Sequence, residues 1–129
     1  MNFIVFPAAF NTRATIDMSR MFADCINLKD LNLNGFVTTG VKNMSSMFEG
    51  CVELNSIVMT SKDFTTSSVT NMNSMFKNCQ LLDVLQLPAN MGTPLCTDMA
   101  SMFEGCATLT DLMALNTFDT SAVGGTDGS

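Results

Sequence analysis

An eight-residue pattern of apolar and polar positions occurs four times along the chain. The copies are MSRMFADC at Met18–Cys25, MSSMFEGC at Met44–Cys51, MNSMFKNC at Met72–Cys79 and MASMFEGC at Met99–Cys106, and they begin 26, 28 and 27 residues apart. A fixed period of about 20 to 50 residues is typical of proteins built from stacked repeats. Because each unit is too small to bury its own apolar face, adjacent units must cover one another. The pattern therefore predicts a repeat protein.

Within each of these octets, the apolar residues are spaced as they are on one face of a helix. In the second octet they are Met44, Met47, Phe48 and Cys51, at i, i+3, i+4 and i+7. The residue before each octet is Asp or Asn, which caps helix N-termini, and the residue before each Cys is Asp, Asn or Gly, which tolerates a left-handed helix end. These signals predict short helices at residues 18–25, 44–51, 72–79 and 99–106.

A short alternating stretch follows each octet, and alternation is typical of a half-buried strand. The stretches are Leu31–Leu33, Ile57–Met59, Leu85–Leu87 and Leu112–Ala114, and Ile4–Ala8 aligns with the third of them. In the loop that follows each strand, a Phe or Met is followed two residues later by Thr. We expect these hydroxyls to bind loop backbone between repeats: Thr12, Thr38, Thr66, Thr93 and Thr120.

These elements together predict an α/β solenoid. It would span residues 1–123 in about four coils of 26–28 residues, each with a short parallel strand and a short helix. Residues 124–129 read GGTDGS, which predicts a flexible Gly-rich tail.

The repeats also resemble a known family. The strings VKNMSSMFEGC (Val41–Cys51), VTNMNSMFKNC (Val69–Cys79) and FDTSAV (Phe118–Val123) are similar to the BspA-like leucine-rich-repeat surface proteins, including the form abundant in mycoplasma lipoproteins. The resemblance implies a leucine-rich-repeat solenoid, displayed on the bacterial cell surface or secreted. It further implies adhesion to host or neighbour-cell proteins and no catalytic activity.

The match to this repeat pattern has visible departures. Thr15 and Cys96 stand where the pattern has Val, and Pro94 interrupts the third loop. After Val123 the expected Thr-Asn-Met is replaced by Gly124-Gly125-Thr126. Neither end shows a capping unit, so end-to-end self-association is an expectation.

Charge limits the range of partners. All six Lys and Arg residues lie within residues 1–77, and residues 78–129 hold six acids and no base, so the net charge of −6 belongs to the second half. An acidic half disfavours nucleic acid and anionic membranes as partners. The composition is 47% hydrophobic and 14% charged, with no tract that would insert in a bilayer, and the start lacks the basic region of a secretory signal.

Residue types argue against catalysis, cofactors and metal ions. The chain has no His, so Ser–His and Cys–His nucleophile systems cannot form. It also has no CxxC pair, so the usual spacings of structural zinc ligands are absent. Four of the five Cys residues hold the last octet position and Cys96 holds a core position, which predicts buried free thiols. Whether two stacked thiols could be oxidised to a disulfide is left open by the sequence.

What remains as a functional site is the surface of the predicted sheet. We expect recognition of a protein or glycan through the outward residues of its concave face, as an adhesion-like module. The alternative is a structural spacer or assembly element of a larger protein or of a phage or virus particle. The outward residues are Val5, Asp30, Asn32, Asn34, Ser56, Val58, Thr60, Val84, Gln86, Asp111 and Met113.

Overall fold

A computed structural model of the chain describes residues 12, 14–59, 62–86 and 95–109. The described part contains three strands, β1 (Asp30–Asn32), β2 (Ser56–Val58) and β3 (Val84–Gln86). They form one parallel sheet in the order β1-β2-β3, and the register pairs Leu31 with Ile57 and Ile57 with Leu85. Each strand begins and ends one residue earlier than the alternating stretch predicted. The predicted strands at 4–8 and 112–114 and the tail at 124–129 lie outside the described residues.

The octets are not helical. No helix occurs among the described residues, so the helices predicted at 18–25, 44–51, 72–79 and 99–106 are wrong, and with them the α/β leucine-rich-repeat solenoid. An α-helix needs each N–H to bind the carbonyl four residues earlier. Here the N–H of Ser46 instead donates to the carbonyl of Asn73 at 2.8 Å, and the N–H of Phe48 to that of Met75 at 2.9 Å. Every second N–H group of an octet thus donates to a carbonyl of the next repeat.

Two left-handed residues in each octet explain this path. The third octet residue, Arg or Ser, has φ between 55° and 59°, and the seventh residue, Asp24, Gly50, Asn78 or Gly105, has φ of 60°, 80°, 63° or 78°. A left-handed residue cannot continue a right-handed helix. The N–H of Met47 therefore closes a tight turn on the carbonyl of Met44 at 3.3 Å, and the N–H of Glu49 closes a second on that of Ser46 at 3.2 Å. The predicted left-handed conformation at the seventh position is confirmed, but the one at the third position was not foreseen.

The Asp or Asn before each octet does accept a backbone N–H, as predicted. The side-chain oxygens of Asp17, Asn43, Asn71 and Asp98 lie 2.8, 2.9, 2.9 and 3.0 Å from the amide nitrogen two residues further on. The same four residues pair with one another in parallel bridges from repeat to repeat. These side chains therefore close a turn at a point where the repeats are joined, rather than capping a helix.

The core runs through successive octets. Met44, Met47, Phe48 and Cys51 are all fully buried, as their spacing predicts, although they do not lie on a helix. The Phe rings of adjacent octets stack nearly parallel, with centroids 5.7 Å apart for Phe22–Phe48 and 5.3 Å apart for both Phe48–Phe76 and Phe76–Phe103. Burial and ring stacking between repeats hold the octets in line.

Two of the predicted loop threonines, Thr38 and Thr12, bind backbone across repeats, which confirms the prediction for them. The buried Thr38 hydroxyl donates to the carbonyl of Thr65 at 2.7 Å and accepts the N–H of the same residue at 2.6 Å. Thr12 makes the equivalent pair of bonds with the backbone of Val37, at 2.9 and 2.8 Å. Thr93 and Thr120 lie outside the described residues.

Candidate binding surface

The outward positions of β1 and β2 are accessible. In β1, Asp30 and Asn32 are exposed on either side of the buried Leu31. In β2, Ser56 and Val58 are half-buried on either side of the fully buried Ile57. The alternation along the sequence therefore assigned the two faces of these strands correctly.

Parallel register brings the predicted site residues into two rows. Asp30, Ser56 and Val84 lie at one level of the three strands, and Asn32, Val58 and Gln86 lie two residues further along. Neighbouring strands of a sheet are about 4.8 Å apart, so each row spans roughly 10 Å. Each row combines residue types of different charge and polarity on a backbone that repeats from strand to strand.

Asn34 lies next to these rows, just after β1. It is exposed, and its N–H donates to Oδ1 of Asn32 at 2.9 Å, so the end of β1 turns tightly beside the sheet surface. The remaining predicted site residues, Val5, Thr60, Asp111 and Met113, lie outside the described residues.

A surface depression of about 450 Å³ adjoins the rows at the start of the strands. It carries three carboxylates and one ammonium group, and its exposed Leu81 supplies apolar surface. The amide of Asn55 donates to the carbonyl of Leu81 at 3.3 Å and the hydroxyl of Thr108 to that of Gln80 at 2.7 Å, which ties the wall of one repeat to the next. The lining residues are Lys29, Asp30, Glu53, Asn55, Leu81, Asp83 and Thr108.

Sequence reasoning found only Asp30 of this depression. Its other residues lie in the turns between octet and strand, where neither helical nor strand periodicity marks an outward side chain. Their positions relative to the preceding Asp or Asn do repeat, since Glu53, Leu81 and Thr108 each lie ten residues after Asn43, Asn71 and Asp98. Comparison of equivalent repeat positions would therefore have grouped them.

The thiols of three octet cysteines donate to backbone carbonyls of the preceding repeat. The Sγ of Cys51 donates to the carbonyl of Phe22 at 3.0 Å, Cys79 to that of Phe48 at 3.1 Å and Cys106 to that of Phe76 at 3.0 Å. Burial raises the pKa of Cys51 to about 11 and raises the pKa of Cys79 as well, because a thiolate would lose its hydration there. All five cysteines are unbridged. The fully buried Cys51 and Cys79 therefore act as small core residues.

No group of three or more His, Cys, Asp or Glu side chains lies within the described residues in an arrangement that would hold a metal ion. In the same part of the chain, no helix has the length and apolar character needed to cross a membrane.

The stacked octets and in-register strands define a protein of short tandem repeats, joined by backbone hydrogen bonds. The profile of the family described as "Mycoplasma protein of unknown function, DUF285" matches residues 7–85 and, in an overlapping second match, residues 52–127. The two matches cover most of the chain, which therefore belongs to this family. No curated protein and no solved structure matches it.

Proposed function

We propose that the chain is a non-catalytic binding module of a bacterial cell-surface or secreted protein. It holds a protein or glycan partner on the outward residues of β1, β2 and β3, in the manner of the BspA-like surface proteins that its repeats resemble. The observation that carries the proposal is the pair of rows across the sheet. The residue types in the rows change from strand to strand, while Leu31 and Ile57 between them are buried.

The chemistry of the rows suits recognition. Asp30 and Asn32 offer exposed carboxylate and amide groups, and half-buried Val58 offers apolar surface between polar neighbours. Protein-binding surfaces combine an apolar centre with polar surroundings that form hydrogen bonds. The backbone beneath is fixed by pairing to its neighbours, so a partner would meet a preorganised surface.

The cysteines and the composition support the non-catalytic part of the proposal. The chain contains no His, and burial keeps the thiols of Cys51 and Cys79 neutral through raised pKa values. Nucleophilic catalysis needs a thiolate or a hydroxyl with an adjacent base. Binding needs neither.

Family membership and the repeat strings support the location. The family is associated with mycoplasmas, and the octet strings resemble those of exported adhesins. Protease treatment of intact cells of the source organism, followed by mass spectrometry of the released peptides, tests the location. Peptides of this chain in the released fraction are expected, and their recovery only from lysed cells would contradict surface display.

Binding is tested with the purified chain on a printed glycan array and on a panel of immobilised extracellular proteins. For any ligand bound there, Asn32→Arg and Gln86→Arg are expected to abolish binding, because each places a long cation in one row of the sheet surface. Thr39→Arg is the matched control, since Thr39 is exposed in a loop away from the strands. Circular dichroism of each variant checks that the fold is retained.

The outcome of this comparison decides the role of the surface. Loss of binding in the two strand variants, with normal binding by Thr39→Arg, supports the proposal. Normal binding by folded Asn32→Arg and Gln86→Arg would show that the ligand contacts another face.

A further inference from the structure

The fourth octet ends in backbone donors that lack acceptors among the described residues. In the first three octets, the third, fifth and seventh residues donate their N–H groups to the next octet, as Arg20 does to Ser45 at 3.0 Å and Phe22 to Met47 at 2.9 Å. The equivalent amides of the fourth octet are those of Ser101, Phe103 and Gly105. Within the described ranges none of these three has an acceptor.

The first octet has the complementary set of acceptors. The carbonyls used between octets belong to the second, fourth and sixth residues, as Ser45, Met47 and Glu49 show. In the first octet these are the carbonyls of Ser19, Met21 and Ala23, and no donor in the described part of the chain reaches them. Among the described residues, one end of the octet stack therefore has donors without acceptors, and the other has acceptors without donors in the same spacing.

Side chains at the two ends are less covered than their equivalents in the middle. Met47 and Cys51 of the second octet are fully buried, whereas Met21 of the first octet is 39% exposed and Cys25 is half-buried. At the opposite end, Phe103 and Cys106 are also only partly buried. A further octet placed against either end would remove this apolar surface from water.

The seventh octet position makes the two ends sterically compatible. It alternates Asp24, Gly50, Asn78, Gly105, and a Cβ on Gly50 or Gly105 would collide with Oδ1 of the Asp24 or Asn78 side chain in the preceding repeat. Glycine after a polar residue at this position avoids the collision, and Asn78 in turn follows Gly50. The four octets therefore contain two pairs of a polar residue followed by glycine. If the first octet of a second copy follows the fourth octet, Asp24 follows Gly105 in the same way as Asn78 follows Gly50.

We infer that the fourth octet of one molecule binds the first octet of a second copy of this chain, head to tail. The N–H groups of Ser101, Phe103 and Gly105 donate to the carbonyls of Ser19, Met21 and Ala23 of the second copy. Because the two contacting surfaces differ, such a joint leaves one free surface of each kind and extends without closing. This inference is independent of the proposed binding function.

Sedimentation velocity of the 129-residue chain over a wide concentration range tests the inference. The expected result is a series of species that lengthens with concentration. Met21→Lys places a charge on the acceptor end, at a position already exposed to solvent, and is expected to raise the apparent dissociation constant by about tenfold or more. Leu81→Lys is the matched control, because Leu81 is 50% exposed but lies in the third repeat, away from both ends.

Mixing distinguishes a head-to-tail joint from a symmetric one. Met21→Lys retains its donor end, so it is expected to bind the acceptor end of wild-type molecules and shorten their assemblies. Amide hydrogen exchange gives a direct reading of the joint, since the amides of Ser101, Phe103 and Gly105 should exchange more slowly as concentration rises. Those of the second octet, already bonded within the chain, should not change.

Three results would overturn the inference. One is a wild-type chain that stays monomeric at every concentration. Another is a single closed dimer that does not grow. The third is equal weakening by Met21→Lys and Leu81→Lys, which would indicate non-specific association of exposed apolar residues.

Discussion

Replacing Gly50 with alanine is expected to destabilise the protein, whereas the same change at Gly35 is not. Gly50 has φ of +80°, and its added Cβ would collide with Oδ1 of Asp24 and lie 3.4 Å from Cγ and 3.5 Å from Cα of that residue. Gly35 has no atom within 4 Å of the equivalent position and no left-handed backbone. The two substitutions therefore differ in backbone strain and in steric contact.

The size of the effect follows from two contributions. A non-glycine residue in the left-handed region costs about 1–2 kcal/mol. Moving the Asp24 carboxylate also breaks its ion pair with Arg20, at 3.4 Å, but both side chains are well exposed, so this loss is at the low end of about 0–1 kcal/mol. We expect Gly50→Ala to lower the free energy of unfolding by about 1–3 kcal/mol. Gly35→Ala should raise it by about 0.4–1 kcal/mol, because alanine restricts the unfolded chain.

Urea unfolding followed by far-UV circular dichroism is the assay, since the chain has neither Trp nor Tyr for fluorescence. The midpoint should move while the slope stays constant, as expected when stability alone changes. The double variant Asp24→Gly/Gly50→Ala removes the collision but keeps the backbone strain, so it should recover part of the loss. Equal midpoints for Gly50→Ala and Gly35→Ala would refute the reasoning, and no recovery in the double variant would refute the steric part.

Two further predictions concern the buried polar groups. Thr38→Val should lower the free energy of unfolding by about 1–3 kcal/mol, because the N–H and carbonyl of Thr65 both lose their partner. Thermal unfolding measures this, with Thr39→Val at an exposed neighbouring residue as the control. Equal melting temperatures for the two variants would contradict the prediction. Raising the pH should destabilise the fold by up to about 2 kcal/mol through Cys51, whose pKa rises from its ordinary 9.0 to about 11 on folding. The unfolded chain releases the proton near pH 9 while the folded chain keeps it until about pH 11, so stability falls as pH rises through this window. Cys51→Val should show a shallower pH dependence in urea unfolding, and an unchanged slope would count against it.

Part of the surface followed from the sequence because strand alternation is a local property. Asp30, Asn32, Ser56 and Val58 were assigned outward from their apolar neighbours, and their exposure agrees. The rest of the depression beside them was not predicted, because its walls come from four successive repeats and its residues other than Asp30 lie in turns. Only the stacking of repeats places Glu53 beside Asp83.

The octets show why the fold was only partly predictable. The pattern at Met44, Met47, Phe48 and Cys51 correctly marked buried residues, but three successive tight turns bring these four positions to one side, as a short helix would. Serine at the third octet position gives no local sign of a left-handed conformation, so Ser46 and Ser74 could not be distinguished from helical residues.

The sequence by itself determined the repeat period, the buried positions, the Asp and Asn acceptors before each octet and the left-handed residue before each Cys. These are properties of side chains and of their immediate neighbours along the chain. The tertiary structure decided the backbone path of the octets. An amide such as that of Phe48 can donate to a carbonyl of its own octet, as in a helix, or to the carbonyl of Met75 in the next repeat, as it does here. The stacking of repeats supplies that second carbonyl together with the Phe48–Phe76 ring contact, and the octets adopt the path that gains both.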